Sequence, residues 1–439
     1  MTEKTTSRFQ LKNSITLKFI IIGLMILALL IPAGMIKNLV YERSSLRDSV
    51  ISEVSYKWGN QQTIAGPIIS IPYKSYYKKD KEIIEEINYA QFLPEKLNIS
   101  GNLNPEIRYR SIYKVVVYNS DLNFNGHFNK PDFSQWKVRD SDIMWEDASL
   151  IIRITDMRGI KDTINVKWNK KSTEVNPGII NQNNNYTGVS AKINFNDSEI
   201  YNFEFNLDLN GSESLYFTPV GKETNVDLIS DWTDPGFEGS FLPNDREITE
   251  EGFKAQWKVL HLNRSYPQQW RGSSFSTEGS EFGVNLLLPV DHYQKSHRSI
   301  KYAIMFISLT FLIFFFTEVL NKKRIHPIQY LLVGLGLSVF YTLLLSLSEQ
   351  ISFNLAYLIA SLAIITLITT YSYSMLKSKK LTAIVALVLI VLYVFLFTIL
   401  ELQDFSLLLG SIGLFIALAI VMYLSRKVDW YSNLPEENT

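Results

Sequence analysis

The sequence predicts an integral membrane α-helical bundle of six transmembrane helices, one N-terminal and five C-terminal, with a large β-rich domain inserted between the first two. Six apolar runs are long enough to cross a hydrocarbon core of about 30 Å at about 1.5 Å per residue. Between the first and second runs lies a long polar segment with strand-like alternation. The chain contains no cysteine, which excludes disulfides, thiol nucleophiles and Cys-ligated metal centres.

The first apolar run covers residues 19–36 and carries no charged side chain. Lys12 and Lys18 precede it, so the h-region of a cleaved signal peptide is the alternative interpretation. The run exceeds the usual h-region length of about 7–15 residues, and no small-residue cleavage site follows it. We therefore expect residues 19–36 to be a retained transmembrane helix.

The other five runs occupy the C-terminal part of the chain, at residues 302–320, 328–347, 353–375, 381–400 and 405–424. Basic residues occur in alternate connecting segments, whereas segments 348–352 and 401–404 contain acidic residues and no Lys or Arg. Because cytoplasmic loops retain an excess of Lys and Arg, this segregation predicts cytoplasmic termini, 1–18 and 425–439. It also places residues 37–300 on the outer face of the membrane, followed by a five-helix domain at 301–424.

The outer segment begins with a helix that continues out of the membrane, because Leu46, Val50, Val54 and Trp58 recur every four residues. Alternation and β-branched or aromatic residues then predict strands at residues 111–118, 149–155, 191–195, 201–209 and 254–262. These strands suggest an antiparallel domain, either sandwich-like or built of two lobes. Acidic residues slightly outnumber basic ones in this segment, which argues against a nucleic-acid partner.

No motif for catalysis, a metal or a cofactor is present. The five histidines show neither i, i+4 spacing nor an HExxH pattern, and both the nucleophile-elbow and the P-loop signatures are absent. We therefore predict no catalytic, cofactor-binding or metal-binding residues, although a triad assembled in space would leave a hydrolase in the outer segment as an alternative. One acidic cluster suits either a calcium ion or a solvated loop: Asp227, Asp231, Asp234, Glu238 and Asp245.

A stripe of small and weakly polar residues runs along the predicted helix 328–347: Gly334, Ser338, Thr342 and Ser346. Such a stripe lets helices pack closely, and the alternative is a polar lining for a substrate path. Mid-membrane ionisable residues would favour the path, and the sequence has none. Glu318, Glu349 and Glu401 fall at span ends, where we expect water and headgroups to solvate them.

Basic residues gather just before the second span. Lys295, Arg298 and Lys301 lie between Tyr293 and Tyr302, a combination typical of a membrane interface. We predict that the three cations contact lipid phosphates. Membrane lipids are therefore the first expected partners.

Several long and uncommon strings occur in both parts of the chain. The membrane part carries LLLPVDHYQKSHRSIKYAIMF, HPIQYLLVGLGLSVFYTLLLSLSE and SRKVDWY. The outer segment carries FLPNDREITEEGFKAQWKV, NRSYPQQW and, near its start, Trp58, Gly59, Gln61, Gln62, Gly66 and Pro67. These strings resemble the CreD family of bacterial inner-membrane proteins, also called cell envelope integrity proteins. The resemblance extends from the first span to Tyr431.

The resemblance implies an inner-membrane location, a large periplasmic domain, and a role in maintaining the envelope and its response to stress, including susceptibility to β-lactams and colicins. It supplies no catalytic residues. Our first hypothesis is a non-enzymatic protein whose periplasmic domain contacts envelope components or another protein. The alternative is a transporter or channel-like module for a lipid or small solute, formed by the C-terminal helices.

Overall fold

The computed structural model describes residues 15–79, 82–179, 186–196, 198–286, 292–402 and 405–428. The Asn-rich loop 181–185 and much of the predicted termini, 1–14 and 429–439, lie outside the described residues. The chain divides into two compact units. One comprises Met1–Leu46 and Val290–Thr439, and the other is Arg47–Pro289.

The first unit is helical, and its long C-terminal helices begin and end close to the ends of the predicted apolar runs. The helices of the chain are α1 (Ile15–Trp58), α2 (His292–Lys301), α3 (Ala303–Leu320), α4 (Pro327–Ser348), α5 (Phe353–Leu376), α6 (Lys379–Glu401) and α7 (Ser406–Ser425). Within the described residues, six of them, α1 and α3 to α7, are long and apolar enough to cross a membrane. The predicted set of one N-terminal and five C-terminal helices is therefore confirmed.

Helix α1 has 44 residues and continues beyond its apolar run to Trp58. The four-residue recurrence of apolar side chains predicted this extension, and the structure confirms it. The predicted span 19–36 is thus the first part of a longer helix, whose last residues belong to the second unit.

Helix α2 was not predicted, and it is short and amphipathic. It buries Tyr293, Ser296, Ser299 and Ile300 on one side. Its ten residues are too few to span a membrane, so a search for long apolar runs does not detect it.

The start of α4 shows how local sequence sets a helix boundary. Pro327 stands in the first turn, where its missing N–H is not needed. His326 caps the helix by accepting the N–H of Ile328 at 3.3 Å, and Gln329 accepts the N–H of His326 at 2.9 Å. These two bonds satisfy orphan donors at the helix start, immediately after the basic connecting segment.

The second unit is a β domain. Its strands are β1 (Gln62–Lys79), β2 (Glu82–Phe92), β3 (Lys96–Arg110), β4 (Tyr113–Asn129), β5 (Ser149–Ile154), β6 (Asn165–Trp168), β7 (Lys171–Glu174), β8 (Asn176–Pro177), β9 (Gly188–Lys192), β10 (Ile200–Ser212), β11 (Ser214–Thr218), β12 (Glu223–Ser230), β13 (Pro235–Gly239), β14 (Asp245–Thr249), β15 (Gly252–Leu260), β16 (Gln269–Arg271) and β17 (Phe282–Leu286).

These strands form two sheets. One has the order β13-β17-β11-β1-β5-β9-β8, with β2 paired to β1 and β16 paired to β2, and the other has the order β14-β15-β12-β3-β4-β10-β6-β7. The pairing is antiparallel except at two places, where β1 runs parallel to β11 and β3 parallel to β12. The predicted β-rich, largely antiparallel insertion is confirmed, and the two parallel pairs add to it.

The two sheets share one hydrophobic core, to which both contribute buried aliphatic and aromatic side chains. Strand β10 alternates from Tyr201 to Asn210, with Tyr201, Phe203 and Phe205 inward and polar residues outward. The Phe205 ring stacks on Phe124 with their centroids 4.7 Å apart. The predicted strand 191–195, in contrast, ends at Lys192. Ile193 is buried without belonging to a strand, so the alternation there reports burial rather than sheet pairing.

Candidate functional site

The α4 stripe divides into a packed half and an exposed half. Gly334 and Ser338 are buried, whereas Thr342 and Ser346 are exposed. A Cβ on Gly334 would collide with side chains of Leu29 and Phe311, so this glycine permits close packing. The Ser338 hydroxyl donates to the Gly334 carbonyl at 3.0 Å within the same helix. The four residues therefore do not line one continuous surface of the described bundle.

The basic residues of α2 have different surroundings. Lys295 Nζ lies 2.7 Å from Glu401 Oε1 and 5.2 Å from the centre of the Phe353 ring. The Arg298 guanidinium donates to the Ile399 carbonyl at 3.0 Å, where the last turn of α6 leaves its carbonyls without helix partners. Lys301 is exposed. Two of the three predicted headgroup contacts thus also join α2 to α6, and lipid contact stays a prediction for all three.

Glu318 is the main correction to the sequence analysis within the bundle. We expected water and headgroups to solvate it, but only 3% of its surface is exposed. Its carboxylate forms an ion pair with Lys18 of α1, accepts the Ile325 N–H at 2.9 Å and accepts the Tyr330 hydroxyl at 3.1 Å. A buried carboxylate needs such partners because an unpaired charge in a low-dielectric interior is costly. The pair links residues 300 positions apart, and one sequence gives no signal of it.

In the β domain, the end of α1 meets the sheets at a segment that we call the junction, residues 58–62. The Trp58 indole donates to the Tyr118 carbonyl at 3.2 Å, and the Arg108 guanidinium lies 3.6 Å above the Trp58 ring. Gly59 has φ +144°, and a Cβ there would collide with the carbonyl of Asn210. This close approach requires glycine at the end of α1.

A buried polar network continues the junction into the sheet. Gln62 donates to the carbonyls of Asp156 at 2.9 Å and Asn210 at 3.0 Å, and it accepts the Asp156 N–H at 3.1 Å. The Asp156 carboxylate accepts the N–H groups of Asn60 at 3.0 Å and Arg158 at 3.1 Å, and it pairs with the Arg158 guanidinium. Burial alone would raise the pKa of Asp156, but these donated hydrogen bonds lower the pKa below its ordinary value.

The string NRSYPQQW, which also carried the resemblance, makes structural contacts. The Tyr266 hydroxyl donates to the Pro219 carbonyl at 3.1 Å, and Gln268 donates to the Pro94 carbonyl at 2.9 Å. Trp270 is buried in the core. These residues of the outer segment therefore hold loops and the end of α1 in place.

The remaining candidates for chemistry stay dispersed. The acidic cluster is exposed and spreads over β12, β13, β14 and the turns between them. Among the described residues, no group of three or more His, Asp or Glu side chains is placed to hold a metal ion. His127 lines a shallow polar depression with Lys167 and Glu204, and no second histidine lines it.

A feature that sequence reasoning missed is a two-stranded extension, the β ribbon, formed by residues 74–79 of β1 and 82–88 of β2. In this stretch the two strands pair with each other. Strand β5 pairs with β1 at residues 64–70, and β16 pairs with β2 at residues 90–92, so both of these pairings lie outside the ribbon. Tyr77 is 48% exposed and Ile83 is 76% exposed. Exposed apolar side chains on a ribbon whose edges pair with no third strand in the described part of the chain are typical of a contact surface.

Six apolar helices and an inserted two-sheet domain define the chain as a multi-pass membrane protein with one large β domain. A family model described as "Inner membrane protein CreD" matches residues 14–431. The chain is also 34% identical over 422 residues to the inner membrane protein CreD of Escherichia coli (strain K12), an alignment that covers 94% of this chain and 93% of that protein. The chain therefore belongs to the CreD family of inner membrane proteins, and the resemblance found in the sequence is confirmed.

Proposed function

We propose that this protein maintains the integrity of the bacterial cell envelope and takes part in its stress response, through non-enzymatic contacts of its β domain with envelope components or another protein. The observation that carries the proposal is the β ribbon. Its exposed apolar side chains, one on each face of the ribbon, support the proposal, because strand edges and exposed apolar groups bind partners without a catalytic residue.

We propose further that the β domain is periplasmic and that both termini are cytoplasmic. Charge at the helix ends supports this orientation. Exposed basic residues follow α3, begin α6 and follow α7, namely Lys322, Lys323, Arg324, Lys379, Lys380, Arg426 and Lys427. At the opposite end of α4 lies Glu349, and at the opposite end of α6 lies Glu401. An excess of Lys and Arg in short loops marks the cytoplasmic side.

We expect the double variant Tyr77→Ser, Ile83→Ser to lose envelope protection while the β domain remains folded, because both side chains are exposed. The measurement is leakage of a soluble periplasmic reporter under detergent or β-lactam challenge. Cells that lack the gene are complemented with wild-type or variant protein at equal abundance. The variant should leak like the uncomplemented cells.

The matched control for the ribbon is Ile229→Ser, Leu262→Ser, because these side chains are 47% and 80% exposed elsewhere in the β domain. The control should restore wild-type leakage. Full restoration by the ribbon variant would contradict the contact proposal. So would a β domain that is folded but inert on a foreign anchor, if the helices alone restored protection.

The transport alternative keeps the α4 stripe as its motivation. If Ser338, Thr342 and Ser346 formed a polar path, replacing all three by Ala should abolish transport. Packing should weaken only modestly, since interhelical hydrogen bonds in membranes average about 0.6 kcal/mol in one well-studied protein. We expect the triple variant to protect the envelope like the wild type in the same leakage assay. Loss of protection at normal abundance would instead favour transport.

A further inference from the structure

An apolar groove of about 510 Å³ lies between α3, α6 and α7 of the bundle. Its walls include Leu312, Phe316, Val388, Leu392, Ala417 and Val421. Apart from Thr317 and Asn321, near the end of α3, the lining side chains are apolar. Ligand pockets commonly have volumes of about 300–1,000 Å³, so the groove is large enough to hold part of a lipid.

The groove exists because α7 packs loosely along part of its length. At Gly413 the helices are close, since a Cβ there would collide with the Phe395 ring of α6. No residue of α7, Gly413 included, is fully buried. Ala417, one turn after Gly413, lines the groove with a small side chain. The result is a concave surface bounded by three helices rather than the convex surface of a single helix.

Basic side chains surround one end of this groove. Each groove helix contributes a pair next to one of its lining residues: Lys322 and Lys323 follow Asn321, Lys379 and Lys380 precede Leu381, and Arg426 and Lys427 follow Leu424 and Ser425. All six are exposed. Among the described residues, none of the six forms an ion pair within the distance of a salt bridge. The charges are therefore available to an anion at the membrane surface.

We propose that the groove binds an anionic phospholipid, with an acyl chain between the three helices and the phosphate headgroup among the basic pairs. The apolar walls match the chain, and the positive end matches a lipid with net negative charge. A zwitterionic phospholipid fits the same walls but gains less from the cations. Each basic residue near a membrane surface strengthens the binding of anionic lipid by about fivefold.

The test uses the full-length protein purified in a mild detergent. It is incubated with equal amounts of phosphatidylglycerol and phosphatidylethanolamine that carry identical acyl chains, and native mass spectrometry then measures the lipid retained. We expect wild-type protein to retain phosphatidylglycerol preferentially, by about fivefold or more. Glycerol phosphate, which has the headgroup chemistry without acyl chains, should not displace it. Equal retention of the two lipids would overturn the proposal.

Two kinds of variant separate the contribution of the lipid headgroup from that of the acyl chain. Lys379→Gln, Lys380→Gln and, separately, Arg426→Gln, Lys427→Gln should each lower phosphatidylglycerol retention by about fivefold or more, towards that of phosphatidylethanolamine, and leave phosphatidylethanolamine unchanged. Ala417→Phe should lower retention of both lipids by filling the groove. The matched controls are Lys170→Gln, Lys171→Gln, which removes two exposed charges from the β domain, and Ala419→Phe, which enlarges an exposed residue of α7 outside the groove lining.

The controls should bind like the wild type, and circular dichroism should show equal helix content in every protein compared. If Ala417→Phe does not fold, the two charge variants decide the question, because they alter only exposed side chains. Unchanged phosphatidylglycerol retention in both charge variants would mean lipid adsorbed around the bundle only and would overturn the proposal. The inference concerns the helical unit and does not depend on what the β domain contacts.

Discussion

Lys18→Ala should destabilise the helical bundle by about 2 kcal/mol, because it leaves the Glu318 carboxylate buried without its cation. Removing one partner from a fully buried pair costs about 3–5 kcal/mol. We expect less here because the Lys18 side chain is 39% exposed and solvent screens part of the interaction. Tyr330 and the Ile325 N–H still bond to the carboxylate, but neither supplies a positive charge.

The chain lends itself to this measurement because it has no native cysteine. A single Ser372→Cys reporter, at a position with 0% exposure, is modified by a maleimide only when the bundle opens. The rate of modification in detergent therefore measures the free energy of opening. The same reporter is placed in the wild-type, single-variant and double-variant backgrounds.

Two comparisons identify the cause of the Lys18 effect. Adding Glu318→Gln to Lys18→Ala should recover most of the loss, since a neutral amide still bonds to Tyr330 and Ile325 without a buried charge. Lys295→Ala breaks a pair whose side chains are 22% and 35% exposed, so it should cost only about 1 kcal/mol or less. If the reporter cysteine in Lys18→Ala were modified as slowly as in the wild type, Glu318 would not need Lys18. Faster modification in the double variant than in Lys18→Ala would show the same.

Asp156→Ala should lower the free energy of unfolding of the β domain by about 3 kcal/mol. The change removes a carboxylate that accepts two backbone N–H groups, from Asn60 and Arg158, and hydrogen bonds to charged groups contribute about 1.5–3 kcal/mol each. Urea unfolding of the full-length protein, followed by tryptophan fluorescence, measures the loss, because seven of the eight tryptophans lie in residues 37–300. Asp231→Ala, at an exposed position, should change stability by less than about 0.5 kcal/mol.

The Asp156 contribution should depend on pH with a defined sign. Its pKa is lowered in the folded protein, whereas the unfolded chain has a pKa of about 3.9. The stabilisation is therefore fully present above about pH 4 and disappears as the pH falls through the lowered folded pKa. The difference between wild type and Asp156→Asn should be constant near neutrality and shrink in acid. A difference that grew in acid would contradict this assignment.

The sequence predicted those parts of the fold that depend on local patterns. The six spans follow from apolar length, and the helical extension to Trp58 follows from a four-residue recurrence of apolar side chains. Helix α2 escaped prediction because its ten residues are mostly polar, and its buried side includes Ser296 and Ser299. The two parallel strand pairs escaped it because pairing of distant strands leaves no periodic signal. The burial of Ile193 also produced a strand-like alternation at residues that form no strand.

Prediction of the sites was weaker, for reasons of the same kind. Residue type alone marked the α4 stripe, but only the packing of Leu29 and Phe311 against Gly334 separates its buried half from its exposed half. Glu318 stood at the end of an apolar run, yet its partner Lys18 is 300 residues away. The groove lies between helices distant in sequence, so it could not be read from any one of them.

The parallel pairing of β1 with β11 has a consequence for the order of events during synthesis. Gln62 aligns with Leu215, so strand β1 is made roughly 150 residues before its neighbour. At a synthesis rate of about 5–20 residues per second, β11 is therefore made about 8–30 s after β1. During this time the early strands are open to proteases and to chaperones that hold unfolded chains. Biogenesis of the domain should therefore be sensitive to loss of such chaperones in a way that the finished protein is not.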